Sequence, residues 1–260
     1  MDERLDYLRT TVSASRLGCW ATCRLKFYFR YVLKLVTPPS PALHIGSVVH
    51  GVLQRWSLAR WRHDDCDPAT LEAEYQQQWT ERQQDTVIPW NDNEEAERSS
   101  AWNTLRHYLD NSPIRANEQP EAVEVRAEAD LSGHGLPTLV GFMDLVRPGG
   151  VIVDFKNAGK TPKAEQVLHQ HEAQLSCYGV LYRDATDQRE GGFELHHLVR
   201  TKTPKVIVTE APPMSDAQQS RLFRSIESYL NGVERRDFVP SPGFGCAACE
   251  YFDQCRRWSP

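Results

Sequence analysis

Val151-Ile-Val-Asp-Phe-Lys-Asn157, the run VIVDFKN, decides how the rest of this chain is read. Three consecutive β-branched apolar residues are the texture of a strand buried on both faces. Asp154 and Lys156 follow two positions apart, so a strand sends both side chains to the same face. Taken alone, a D-x-K triplet would serve equally well as a solvent-facing charge pair. The apolar run before it argues for a buried carboxylate instead, and a buried carboxylate needs a partner such as a metal ion.

Working outward, the run TLVGFMDLV just upstream reads as a strand carrying Asp144, joined to VIVDFKN through Arg147, Pro148, Gly149 and Gly150. If the loop held those four residues with regular pairing, Val153 would stand opposite Asp144. For Asp144 and Asp154 to share a face, the loop must have an odd number of residues or the ladder must contain a bulge. Two carboxylates and an amine at one spot suit phosphodiester hydrolysis. Asp144 and Asp154 would hold Mg²⁺, which prefers hard oxygen ligands, and Lys156 would orient or deprotonate a water. His50 is either a core or surface histidine or a nitrogen ligand that Mn²⁺ accepts more readily than Mg²⁺. Gln174 and Tyr178, four apart on a helix, share one side of it, as a polar rim or as part of the same site.

The remaining elements follow from periodicity. A helix is expected from Arg16 to Leu35, capped by Ser13 or Ser15 and ended by the Pro-rich TPPSPA. The next helix buries Ile45, Val48, Val49, Val52, Leu53 and Trp56 and carries His50 beside that stripe. Helical spacing from Asp67 to Leu109 reads as an insertion, bounded at 67–115. After Pro120 come three strands in a meander, AVEVRAEADL, TLVGFMDLV and VIVDFKN. A helix from Pro162 to Tyr182, strands FELHHLVR and KVIVTEA, and a helix from Ser215 to Gly232 complete an α/β chain whose central mixed sheet is flanked by helices. Disorder is expected only in loops and the first few residues.

Seven cysteines, an odd number, in a chain whose N-terminus lacks an apolar export segment argue for reduced thiols and a cytoplasmic setting, with no membrane span. Cys246 and Cys249 form a C-x-x-C chelate, with Cys255 close behind. Cys23, at the other end of the chain, would complete four thiolates if the termini meet, suiting zinc or an iron-sulfur cluster. Such a clasp closes nearly the whole chain and would stabilise it by about 4 kcal/mol if disulfide estimates transfer. Cys19, Cys66 and Cys177 lack such spacing. A net charge of −5 neither supports nor excludes a nucleic-acid partner. Trp20 and Phe27 are candidates for base stacking, with packing the plainer role.

Read in order, SASRLGCWATCRLKFYF, GSVVHGVLQ, GFMDLV, VIVDFKN, QLSCYGVLY and CAACEYFDQC resemble the RecB-like branch of the PD-(D/E)XK nuclease superfamily. The closing segment is similar to members with a four-cysteine iron-sulfur cluster, such as the CRISPR-associated iron-sulfur nuclease and the AddB nuclease domain. The resemblance implies a restriction-endonuclease-like fold in a single nuclease domain over 1–260, with the clasp formed by 241–260 and Cys23. It implies Mg²⁺ or Mn²⁺ held by His50, Asp144, Asp154 and the main-chain carbonyl of Phe155, with Lys156 catalytic and Gln174 and Tyr178 completing the site. It implies a [4Fe-4S] cluster on Cys23, Cys246, Cys249 and Cys255, with zinc as the alternative. The expected activity is a deoxyribonuclease, an exonuclease on single-stranded DNA or DNA ends, with DNA-repair, phage or CRISPR-adaptation proteins as partners. The rival expectation is a non-catalytic DNA-binding or assembly module of the same fold. Arg24 departs from the family, where Pro often follows the first cysteine.

Overall fold

The computed structural model describes residues 2–259 apart from 65, 85 and 116; Asp85 of the expected insertion and Pro260 of the expected clasp segment lie outside it. Helix α1 spans Asp2–Thr10 and leads into a short strand, β1, at Thr11–Val12, so residues expected to be disordered are ordered against the sheet. Leu5 and Leu8 explain this, since both are buried in the core. The single helix expected from Arg16 to Leu35 is instead α2 (Ala14–Thr22), α3 (Arg24–Phe27) and a π-helical turn at Tyr28–Val32. Ser13 caps α2, and the break falls at Cys23, whose backbone is extended.

Helix α4 (Pro41–Arg62) begins where Ser40 accepts the Leu43 N–H and Pro41 occupies the first turn. The predicted stripe from Ile45 to Leu53 is buried, and Trp56 is partly so. Helices α5 (Pro68–Glu81) and α6 (Glu94–Asp110) occupy the segment expected to be an insertion, α5 starting on an Asp67 cap. Strands β2 (Ala122–Ala129), β3 (Thr138–Arg147) and β4 (Val151–Ala158) form the antiparallel meander. Helix α7 (Ala164–Thr186) crosses to β5 (Gly192–Val199), which lies parallel to β4, and β6 (Lys205–Ala211) returns antiparallel to β5. Helix α8 (Asp216–Glu234) starts from a Ser215–Gln218 capping box. The cysteine-bearing tail, expected as a loop, contains a 3₁₀ turn at Phe244–Ala248 and a short helix, α9 (Phe252–Arg257).

The six-stranded sheet runs β1-β3-β4-β5-β6, with β2 on the other edge of β3. One face is covered by α1, α2, α7 and α8, where Leu8, Trp20, Phe27, Leu181, Ile226 and Tyr229 are packed together. The other is covered by α4, α5 and α6, through Val48, Val52, Tyr75, Trp79, Leu105 and Tyr108. Each such side chain contributes roughly 1.5–3 kcal/mol on burial. Trp20 and Phe27 are thus core residues, buried with their rings edge to face at 5.3 Å, and are not placed to stack on bases.

Arg147 ties the segment after α6 to the sheet. It forms ion pairs with Glu118, which follows α6, and with Glu194 of β5, at 2.7 and 2.6 Å. Glu194 also meets His196 Nε2 at 2.7 Å, and His196 Nδ1 shares a hydrogen bond with the Tyr108 hydroxyl at 2.8 Å. Tyr108 and His196 both pack on the ring of Phe155. The strand bearing Asp154 and Lys156 is thereby braced from behind.

Candidate active site

The turn between β3 and β4 has three residues, Pro148, Gly149 and Gly150, because Arg147 pairs with Val151. Both glycines have positive φ, +81° and +71°, a region that side chains rarely tolerate. Of the two solutions the sequence left open, an odd-length loop or a bulge, this is the odd-length loop. The ladder runs Arg147↔Val151, Val146↔Ile152, Leu145↔Val153 and stops there. Asp144 and Asp154 occupy the next register position, where the two strands begin to part.

A second irregularity coincides with this fork. Leu139, Met143 and Val146 belong to the core under α7, whereas Leu145 belongs to the core under α4, so facial alternation breaks at Asp144. In β2, Val123 faces the α4 side while Val125 and Ala127 face the α7 side, so alternation breaks there at Glu124. Glu124 has φ +47°, a strained conformation for a non-glycine residue. The paired twist opens the site to helices on both faces: α4 delivers His50 and α7 delivers Gln174 and Tyr178.

His50 Nδ1 lies 3.3 Å from Asp144 Oδ2, and the same oxygen accepts the Phe155 main-chain N–H at 3.0 Å. Burial pushes the His50 imidazole down, but Asp144, with Asp154 behind it, outweighs burial and holds its pKa above the ordinary value. Asp154 is buried, and its Oδ1 accepts from Tyr178 Oη and Gln174 Nε2, both at 2.9 Å. Gln174 Oε1 accepts from Lys156 Nζ at 3.0 Å, which fixes the orientation of its amide. Burial first, then the charges of Asp154 and Asp144, raise the Tyr178 pKa well above the phenolic range, so its hydroxyl remains a neutral donor.

Asp154 Oδ2 is the exception in this network. It is buried and accepts no hydrogen bond, although Lys156 Nζ approaches it to 2.7 Å. The two observations agree once direction is considered: the ammonium is a charge at close range, not an aligned donor. In this structure its counter-charge is the Lys156 ammonium. Two carboxylates with an imidazole alongside form a donor set that fits a hard divalent ion. As the side chains stand, no group of three or more His, Cys, Asp or Glu among the described residues is closed around a metal position.

Three residues near this site were not singled out from the sequence. Glu124 falls opposite Asp144, between the pairs Val123↔Leu145 and Val125↔Met143. Its carboxyl is held above the usual range by burial and by Asp144, with His50 opposing. His171 Nδ1 is 3.3 Å from Gln174 Oε1, and His197 is buried on β5 directly beside Lys156. The run HQHEAQ offered a weak cue for His171, three residues before Gln174. Nothing local marks Glu124, whose importance is a matter of register.

The four expected clasp cysteines do gather. Cys23, Cys246, Cys249 and Cys255 line one cavity of about 290 Å³ together with Phe29 and Tyr251. Burial first, then the other three thiols, hold the Cys255 pKa above the ordinary thiol value. The tail is anchored by Glu250, which pairs with Lys26 at 2.8 Å and with Arg30, and by Tyr251 Oη donating to the Leu35 carbonyl at 3.1 Å. Cys19 and Cys177 are buried elsewhere, with thiols raised to about 11 and about 12 by desolvation.

A forked mixed sheet between two helical layers, with an acid on each tine and a lysine two residues beyond one of them, defines a restriction-endonuclease-like α/β protein. The sequence pattern of the PD-(D/E)XK nuclease superfamily matches residues 11–256, and the chain belongs to that superfamily. Its members usually use divalent metals such as Mg²⁺. A crystal structure from Eubacterium rectale, of a protein provisionally named an exonuclease, is similar over 98% of this chain and 91% of that one, with a TM-score of 0.63 and 14% identity. The crystal structure of SSO0001 aligns over 98% of this chain and 92% of its own, with a TM-score of 0.44 and 12% identity. No curated protein matches the chain. Among the described residues, no helix is long and apolar enough to cross a membrane.

Proposed function

We propose that this protein is a Mg²⁺- or Mn²⁺-dependent deoxyribonuclease of the RecB-like branch, acting as an exonuclease on single-stranded DNA or DNA ends. The observation that carries this reading is Asp154: one oxygen is saturated by Gln174 and Tyr178, and the other, buried and without a hydrogen bond, faces a lysine at the fork with Asp144. Asp144, Asp154 and His50 would hold the ion, with the Phe155 carbonyl. When bound, such an ion supplies Lewis acidity at the scissile phosphate and makes a water acidic enough to serve as nucleophile at neutral pH.

The chain's own residues supply the rest. As an ammonium, Lys156 would offset negative charge developing on the phosphate and orient the water; taking the water's proton would require its neutral amine. Gln174 holds Lys156 and Asp154 at a set separation. Tyr178, a neutral donor, keeps Asp154 from rotating. His50 and the Phe155 N–H fix Asp144.

The four cysteines would hold a [4Fe-4S] cluster, with zinc as the alternative, bracing the two ends of the chain beside α3. The resemblance of the CAACEYFDQC segment to four-cysteine iron-sulfur nucleases favours the cluster over zinc. Such a protein would act in the cytoplasm alongside DNA-repair, phage or CRISPR-adaptation proteins. The deciding experiment incubates labelled single-stranded DNA and Mn²⁺ with the wild type, Asp154→Ala and Lys156→Ala. Cleavage by the wild type alone is expected; equal or absent cleavage in all three would leave a non-catalytic module. An absorbance spectrum of anaerobically purified protein tests the cluster, with a brown band near roughly 400 nm expected and a colourless zinc protein assigning the metal otherwise.

A further inference from the structure

Phe142 is an unusual residue for the middle of a sheet. It lies on β3, two positions before Asp144, and is 53% exposed although β2 is paired along the whole of that stretch. Its direction is fixed by its neighbours. Met143 is buried in the core under α7, and a Cβ on Gly141 would stand 2.7 Å from Leu181 of that helix. Phe142 therefore leaves the opposite face, the one on which α4 brings His50 to Asp144. An isolated exposed phenylalanine is ordinary on protein surfaces. This one is about 7 Å along the strand from a candidate metal-binding carboxylate, on the same side as His50.

The surroundings carry positive charge. Arg126 is the cross-strand partner of Phe142 and is itself exposed, paired only with the exposed Glu128. Because β3 and β4 are antiparallel, the residues preceding Asp144 lie at the same end of the site as those following Asp154. At that end, Lys160 and Lys163 follow β4, Lys202 lies in the β5–β6 connection, and Lys205 is the first residue of β6. All four are exposed, and none makes an ion pair among the described residues. In a chain of net charge −5, this is a local group of basic residues at that end of the sheet.

We infer that Phe142, flanked by Arg126, is the platform on which the nucleobase next to the scissile phosphate stacks, and that the continuing strand follows these lysines. This deepens the nuclease reading and rests on it. An aromatic face takes any base but only an unpaired one, so the platform selects single strands or frayed ends over intact duplex. The base ring meets the phenyl face, Arg126 meets a phosphate, and the lysines contribute affinity that falls as salt rises.

The test uses full-length protein and an oligonucleotide with 2-aminopurine at successive positions, bound to the inert Asp154→Asn variant and, separately, cleaved by the active protein. With Phe142 present, stacking quenches the fluorophore at one position. Phe142→Leu, which keeps an apolar side chain and the fold, is expected to abolish that quench and raise KM on single strands about 10-fold with kcat nearly unchanged. Phe142→Trp restores both. A quench and a KM that are the same in Phe142→Leu as in the wild type would overturn the platform. If DNA is bound and the fluorophore quenched but the wild type cleaves nothing, the platform stands and the nuclease reading falls.

Discussion

The main-chain N–H of Phe155 donates to Asp144 Oδ2 at 3.0 Å, joining β3 and β4 just past the last rung of their ladder. A side chain replaces the missing rung, so the same carboxylate that closes the fork also faces the site. Asp144→Asn keeps an oxygen for this hydrogen bond but removes the charge. Cleavage is expected to fall on the order of a hundredfold or more, with little change in the unfolding midpoint. A titration of activity against Mn²⁺ and a denaturant melt measure the two; retention of full activity would contradict the assignment.

His50 makes stability and metal affinity depend on pH in opposite ways. Its folded pKa is raised, so its pairing with Asp144 stabilises the metal-free fold fully below the unfolded value of about 6.5 and fades as pH rises through the folded value. Only the neutral ring can ligate a metal, so Mn²⁺ affinity should increase across that same interval. Comparing wild type with His50→Gln by thermal melts without metal, and by Mn²⁺ binding, at pH 5.5 to 9 would show both trends. A stability difference independent of pH would refute the linkage.

Tyr178→Phe removes one donor to Asp154 and one acceptor for Gln174 in a buried setting. A loss of about 1–2 kcal/mol in unfolding free energy is expected. A 10- to 100-fold weakening of the Mn²⁺ dependence should accompany it, since the residue positions a ligand and does not bind the ion. Unchanged metal dependence would mean that Gln174 alone holds Asp154.

Arg147→Met leaves Glu118 and Glu194 without their shared counter-ion. With both carboxylates largely buried, the cost is expected to be about 3 kcal/mol or more, read as a lower urea midpoint. The triple variant with Gln at both glutamate positions should recover much of it. Failure to recover would point to packing by the arginine stem instead of charge.

Cys255→Ser tests whether the gathered thiols brace the fold. If the four thiols hold iron or zinc as proposed, loss of one should release it and lower the melting temperature, since Glu250 and Tyr251 are the other anchors of the tail. An unchanged melt with normal metal content would separate the clasp from stability.

Much of the fold was legible because its signals are local. Alternation and β-branching marked β2 to β6, helical stripes marked α4 and α7, and the short glycine-bearing turn marked the meander. The demand that Asp144 and Asp154 share a face narrowed the connection to an odd-length loop or a bulge, and the former is present. The break at Cys23 was hidden because an aromatic-rich helical pattern continues straight through it. Helix α1 was hidden because its few apolar residues, Leu5 and Leu8, show no need for order until α8 is packed against them. Trp20 and Phe27 could not be told from exposed aromatics, since exposure is a property of the assembled surface.

The sequence by itself determined the acid-lysine strand, the polarity of the meander and the spacing of the cysteines, since each depends on neighbours within a few residues. Only the tertiary structure decided that Glu124 stands opposite Asp144, that Phe142 is bare beside them, and that Cys23 meets three cysteines more than 220 positions away. Those relations depend on register and on which faces the helices cover. Both are set by cooperative burial of the two cores over the whole chain, and no single segment encodes them.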